Sequence, residues 1–188
     1  SVYGGQSYMQ RWRTTDNALE AIAAQHCDGL LILDELAQVE GKVAGECAYM
    51  LANEQSKARA SRNGAARARL SWRLLFLSAG ELGLADHMAE GGKRTRTGQE
   101  VRMADIPADA GQGMGAFECL HDAADGAGFS TLLSSEAAAC HGAVGLAWLQ
   151  LCSANAGTLA RSVRQAVAPL AATCDTLPVP PEIKAELL

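Results

Sequence analysis

Two adjacent carboxylates, Asp34 and Glu35, follow directly on the apolar run Leu30-Leu31-Ile32-Leu33. A pair so placed can share the work of phosphoryl transfer. In such a pair one acid can hold a hydrated magnesium ion and the other can orient a water. The run, opened by Gly29, suits a central parallel strand buried on both faces. In open α/β sheets ligands bind at the C-terminal edge of the strands, which is where the pair would emerge. A plainer role is equally available, because an acid after a strand also caps the helix that follows.

Residues 57–73, KARASRNGAARARLSWR, carry Lys57, Arg59, Arg62, Arg67, Arg69 and Arg73 without one acid. At the centre stands Asn63-Gly64, a strong signal for a two-residue hairpin turn. Pairing outward from that turn sets Ala60 against Arg67 and Ala58 against Arg69, with Lys57 and Arg59 on the opposite face. Both faces are then basic, so the hairpin projects into water or onto a polyanion, whose phosphates Lys57, Arg59, Arg62, Asn63, Arg67 and Arg69 could follow. Ser78 closes the next apolar run, where a small polar group could touch the water or the terminal phosphate; an exposed strand-end serine is the alternative. Arg94 and Arg96 lie in the loop KRTRTG (93–98), within reach of a neighbouring subunit's nucleotide or simply solvated.

The elements that must position these groups alternate. The sequence predicts a β-like stretch at 12–15, a helix capped by Asp16 or Asn17 and running to about Gln25, a strand at 29–34 and a helix at about 42–55. A second buried strand is expected at 72–78, then a turn and short helix closed by Gly91-Gly92, and a further strand at 100–109 ended near Pro107. Beyond a Gly-rich loop at 111–115, Ala-rich helices are expected at 116–124, 134–153 and 155–172, before the Pro-broken tail. Alternation of this kind argues for a parallel α/β sheet with helices on its faces, residues 1–115, followed by a helical region, residues 116–188.

The chain has 188 residues, 48% hydrophobic and 20% charged, with net charge -5. That composition is ordinary for a globular domain with a real core. It excludes a molecule that attracts nucleic acid through its charge as a whole, leaving the uneven distribution to carry that property. Six cysteines are scattered without a CxxC pair. They read as free buried thiols of a reducing cytoplasm, not as zinc ligands. No apolar run approaches bilayer length, and neither a membrane partner nor a signal segment is expected.

An apolar strand ending in Asp-Glu matches the Walker B element of P-loop ATPases. The order that follows (helix, basic hairpin, strand ending in Ser, helix, Arg loop, strand) resembles the AAA+-like layout of superfamily three and MCM helicases. There a hairpin before the sensor strand enters a central channel and grips DNA. Closer still, the stretches RWRTTDNALEAIA, LLILDELAQV, AYMLANEQSKARASRNG, WRLLFLSAGELGLADHMAEGGKRTRTGQEVRMADIPADAG and FECLHDAADGAGF are similar to the domain of unknown function 927 family. Its members are helicase-like proteins of phages, plasmids and integrative elements, and the resemblance spans roughly residues 1–170.

The resemblance implies a P-loop NTPase fold, a three-layer parallel sheet with a C-terminal helical region, in a bacterial or phage-encoded cytoplasmic protein. It implies ATP and Mg2+ as cofactors, Asp34 taking the magnesium, Glu35 the water, Ser78 the sensor role, and Arg94 or Arg96 the neighbour's γ-phosphate. Single-stranded or forked DNA and a homo-oligomeric ring such as a hexamer would be the partners. One departure is plain. The phosphate-binding loop GxxxxGK[ST] does not occur in these residues: Gly41-Lys42 is followed by Val43 and Gly92-Lys93 by Arg94. The chain therefore reads as a fragment whose sheet lacks its first, central strand, and which by itself is inactive.

Three functions compete. The first is an ATP-hydrolysing DNA translocase. The second is a non-catalytic DNA-binding or assembly module with a vestigial nucleotide site, indifferent to changes at Asp34 and Glu35. The third is a protein remodeller, which an aromatic pore loop would favour; the basic segment carries cations at its tip instead.

Overall fold

The computed structural model describes residues 2–59, 68–92, 102–109 and 111–176. Two compact units divide the chain: residues 7–107, and residues 1–6 together with 108–188.

The first unit is built on a parallel sheet of β1 (Gln10–Arg11), β2 (Leu30–Asp34) and β3 (Leu75–Ser78), in the order β1-β2-β3. Gln10 pairs with Leu33 and Arg11 with Asp34, while Leu30 to Leu33 pair with Leu75 to Ser78. Helices α1 (Asp16–Gln25) and α2 (Gly41–Ala52) make the two crossovers, and α3 (Leu84–Glu90) follows β3. Thr15 caps α1, its Oγ1 accepting from the Ala18 N–H at 3.3 Å, one residue ahead of the predicted cap. β1 likewise lies just before the predicted stretch.

Alternation along β2 sends Leu31 and Leu33 into one core with Leu19 and Ala23 of α1, Ala44, Cys47, Ala48 and Leu51 of α2, and Leu84 and Met88 of α3. Leu30, Ile32 and their register partners Leu75 and Leu77 share the opposite face, where Leu75 is 77% exposed. Two helical layers enclosing the sheet were expected, and 72–78 was expected to be buried; here the helices gather on one face. Handedness gives the reason. Strands added in one direction by right-handed crossovers place successive helices on the same side, and the other side is covered only when the order reverses.

α2 and α3 meet closely at Gly41, where a Cβ would stand 2.5 Å from the His87 carbonyl oxygen. The His87 ring nitrogen Nε2 in turn lies 2.8 Å from the Val39 carbonyl. The strand predicted at 100–109 does not form over residues 102–109. Asp105 instead accepts from the Leu84 N–H at 3.3 Å, capping α3, and Met103 packs on the core. This side-chain cap ties the segment to the helix terminus instead of a strand edge.

In the second unit, α4 (Gly126–Ala139), α5 (Ala143–Ala154) and α6 (Ala156–Thr176) follow a non-helical stretch over 116–124. Asp125 starts α4 by accepting from the Gly128 N–H at 2.7 Å. The helix predicted at 134–153 breaks where Cys140 is extended and Gly142 takes φ 78°. Among the described residues no single helix is long and apolar enough to cross a membrane. Among the described cysteines only Cys47 is buried, while Cys27, Cys119 and Cys140 are exposed. The expectation of generally buried thiols is corrected accordingly: the exposed three lie outside the helices.

Candidate functional site

Asp34 and Ser78 end neighbouring strands at the C-terminal edge of the sheet, one register step apart, since Leu33 pairs with Ser78. The strands remain joined beyond their ends: the Ala79 N–H donates to the Leu33 carbonyl at 3.1 Å and the Leu36 N–H to the Ala79 carbonyl at 3.2 Å. Glu35 lies between those two bonds with left-handed backbone, φ 61° and ψ 59°. A non-glycine residue held there carries local strain, a feature enriched at functional sites.

The three polar side chains have different surroundings. Among the described residues the Asp34 carboxylate has no hydrogen-bond or ion-pair partner, although the residue is half-buried. Glu35 is engaged: Arg11 Nη1 lies 3.4 Å from its Oε2, and Gln38 donates to the same oxygen. Both partners of the Arg11 pair are well exposed, and such a pair is worth about 0–1 kcal/mol. Ser78 Oγ accepts from the indole N–H of Trp12 at 2.9 Å, and Trp12 is only 1% exposed. The sequence reading missed Arg11, Trp12 and Gln38; the arrival of the first two at the edge depends on strand pairing across β2.

Asp34 fits a hydrated magnesium ion, which usually takes one or two carboxylates and several waters. Among the described residues no group of three or more His, Cys, Asp or Glu could hold a metal outright. The motif GxxxxGK[ST], whose loop N–H groups would cradle phosphates, does not occur in the sequence. Among the described residues the edge thus brings together a half-buried carboxylate, a second carboxylate held by Arg11 and Gln38, and the Ser78 hydroxyl.

The basic segment is rooted on α1. Glu20, 1% exposed, accepts from the Lys57 backbone N–H at 3.1 Å and from Arg59 Nη2 at 3.0 Å, and Arg59 Nη1 takes its second oxygen. Arg59 also donates to Asn17 Oδ1 at 2.6 Å, and Lys57 Nζ to Asp16 Oδ2 at 2.6 Å. Burial pushes the Glu20 carboxyl up, but its bonds from Arg59 and Lys57 outweigh this and hold it below the ordinary glutamate value. The hydrogen bond from Lys57 does the same for Asp16. Behind them the Cys47 thiol, pushed up to about 11 by burial and by Asp16, stays neutral.

Further along, the Leu70 N–H donates to Ser56 Oγ at 2.9 Å, and Gln55 bridges antiparallel to Ser71. A two-residue Asn63-Gly64 turn would have paired Gln55 with Trp72, so the base closes one residue out of the predicted register. Arg73 pairs with Asp28, and its Nε lies 2.8 Å from Asp28 Oδ1. Arg69 is exposed and contacts only the neutral Gln55 amide oxygen at 3.5 Å among the described residues. Arg62, Asn63, Arg67, Arg94 and Arg96 lie outside the described residues.

No curated protein and no solved structure matches the chain. A family model described as Domain of unknown function (DUF927) matches residues 1–71. That stretch holds Asp34, Glu35 and the basic segment through Arg69 and ends before β3, so it is shorter than the span of roughly 1–170 over which the resemblance was drawn. Over residues 1–71 the chain is similar to the DUF927 domain.

Proposed function

We propose that the chain is part of an ATP-dependent DNA helicase or translocase of AAA+-like, P-loop architecture, working as a ring of identical subunits on single-stranded or forked DNA. The observation that carries the reading is the edge itself: Asp34, without a partner among the described residues, and Ser78 end adjacent parallel strands, with Glu35 between them. Asp34 would hold the magnesium of a bound ATP, Glu35 would orient the attacking water once freed from Arg11, and Ser78, fixed by Trp12, would face the terminal phosphate. Bound magnesium would supply neutralisation of phosphoryl charge. Arg94 or Arg96 would reach a neighbour's nucleotide, and the basic segment would engage the DNA backbone. The reading requires a phosphate-binding loop, and the motif GxxxxGK[ST] does not occur in these residues.

A second reading has its own support. Glu35 is engaged by Arg11 and Gln38, and the motif GxxxxGK[ST] does not occur in the sequence, as expected of a DNA-binding module with a vestigial nucleotide site. Glu35→Gln separates the two in a polypeptide that carries both this chain and the loop. The motor reading expects the variant to retain ATP without turning it over. Turnover equal to that of the unaltered protein would remove the catalytic assignment of Glu35.

A further inference from the structure

The six cations of residues 57–73 look equivalent in sequence, yet their surroundings separate them. Arg59 spans both oxygens of a carboxylate that is 1% exposed and spends a further N–H on Asn17. Glu20 also holds the backbone N–H of Lys57, so the main chain at the root of the segment is fixed along with the side chains. Lys57 itself reaches Asp16 at 2.6 Å. For a phosphate to take Arg59, Glu20 would have to remain buried and ionised without its partner, the costliest way to break such a pair. Arg69 has no such obligation: among the described residues it meets no carboxylate.

We infer that Lys57 and Arg59 are positioning residues, clasped by Asp16 and Glu20 at the root of the basic segment, and that phosphate contact falls to Arg69. The inference rests on the DNA-binding reading and divides its cations into two roles. The clasp belongs to α1, the helix that leads through a short turn into β2 and Asp34. The root of the basic segment, Lys57 and Arg59, is thereby tied to the element preceding the carboxylate edge.

The two roles predict opposite signs. If Lys57 and Arg59 touched DNA, neutralising their carboxylates would free them and remove nearby negative charge, and binding would tighten. If they position, the same changes loosen the root and weaken binding. The test is binding of a labelled oligothymidylate by the chain across a salt series, for Asp16→Asn, Glu20→Gln, Arg59→Lys, Arg59→Ala and Arg69→Ala. The expected result is several-fold weaker binding by Asp16→Asn and Glu20→Gln with the salt slope unchanged. Arg59→Lys should fail as Arg59→Ala does, because an ammonium cannot reproduce the two-oxygen fork. Arg69→Ala should lower the slope by ~0.7, the value for one phosphate contact on a single strand.

Tighter or unchanged binding by the two carboxylate variants would overturn the inference, as would a slope loss of ~0.7 in Arg59→Ala. Should Glu20→Gln fail to fold by circular dichroism, Asp16→Asn, at a partly exposed position, decides alone. A wild-type chain that binds no oligothymidylate at low salt would overturn the DNA-binding reading beneath it.

Discussion

The indole N–H of Trp12 donates to the hydroxyl of Ser78 at 2.9 Å, linking residues 66 positions apart on either side of β2. Trp12 is buried while Ser78 is half-buried at the sheet edge, so a core residue sets the orientation of an edge hydroxyl. Trp12→Phe keeps most of the buried ring and removes the donor. It should cost about 0.5–1.5 kcal/mol, the net worth of one such hydrogen bond, read as a lower urea midpoint with unchanged slope.

Acid should unfasten the clasp on α1. Asp16 and Glu20 are both held below their ordinary values of 3.8 and 4.5. A carboxyl depressed in the folded state adds stability that is fully present above its unfolded value and disappears as pH falls through the folded one. Urea midpoints should therefore be level from neutral pH down to about 5 and decline below that. In Asp16→Asn the decline should be shallower; an identical acid limb would show that the Lys57 pair contributes nothing.

Cys47 should behave unlike the other described thiols. Its value of about 11, against an ordinary 9.0, keeps it neutral while an unfolded thiol ionises. Stability should thus fall as pH rises from 9.0 towards about 11. A thiol reagent at neutral pH should modify the exposed Cys27, Cys119 and Cys140 first. Mass spectrometry after partial labelling reads the order directly.

Gly41 leaves no room for a side chain. Its Cβ would meet the His87 carbonyl oxygen at 2.5 Å and the Met88 Cα at 2.9 Å, both backbone atoms of α3. Gly41→Ala should destabilise the first unit by about 1–3 kcal/mol through forced separation of α2 and α3, despite alanine's better helix propensity. A stability gain in thermal melts would contradict this packing.

Local patterns made β2, α1, α2 and α3 legible. A short apolar run, a cap near Thr15 and a Gly91-Gly92 stop are all written within a few residues of the element they define. What escaped depended on partners far along the chain. The basic segment contains no acid, and its carboxylates arrive from about 40 residues away, on α1 and in the turn before β2. Asp105 shows the same effect, since a strand-like stretch was captured by a helix terminus. The exposed face of β3 had a different cause: hydropathy reports that Leu75 and Leu77 are apolar, but only strand order decides which face receives a helix. At the edge, Asp34 and Glu35 were visible as a pair; Arg11 and Trp12 became relevant only through the register of β1 on β2.

Whether the carboxylate edge is a working nucleotide site is decided by ATP hydrolysis in a polypeptide that joins this chain to a phosphate-binding loop, measured with and without single-stranded DNA. A motor should show turnover that DNA stimulates and that Glu35→Gln abolishes. Absence of turnover with DNA binding intact would contradict the motor, and would leave the edge as the outline of a nucleotide site in a DNA-binding module.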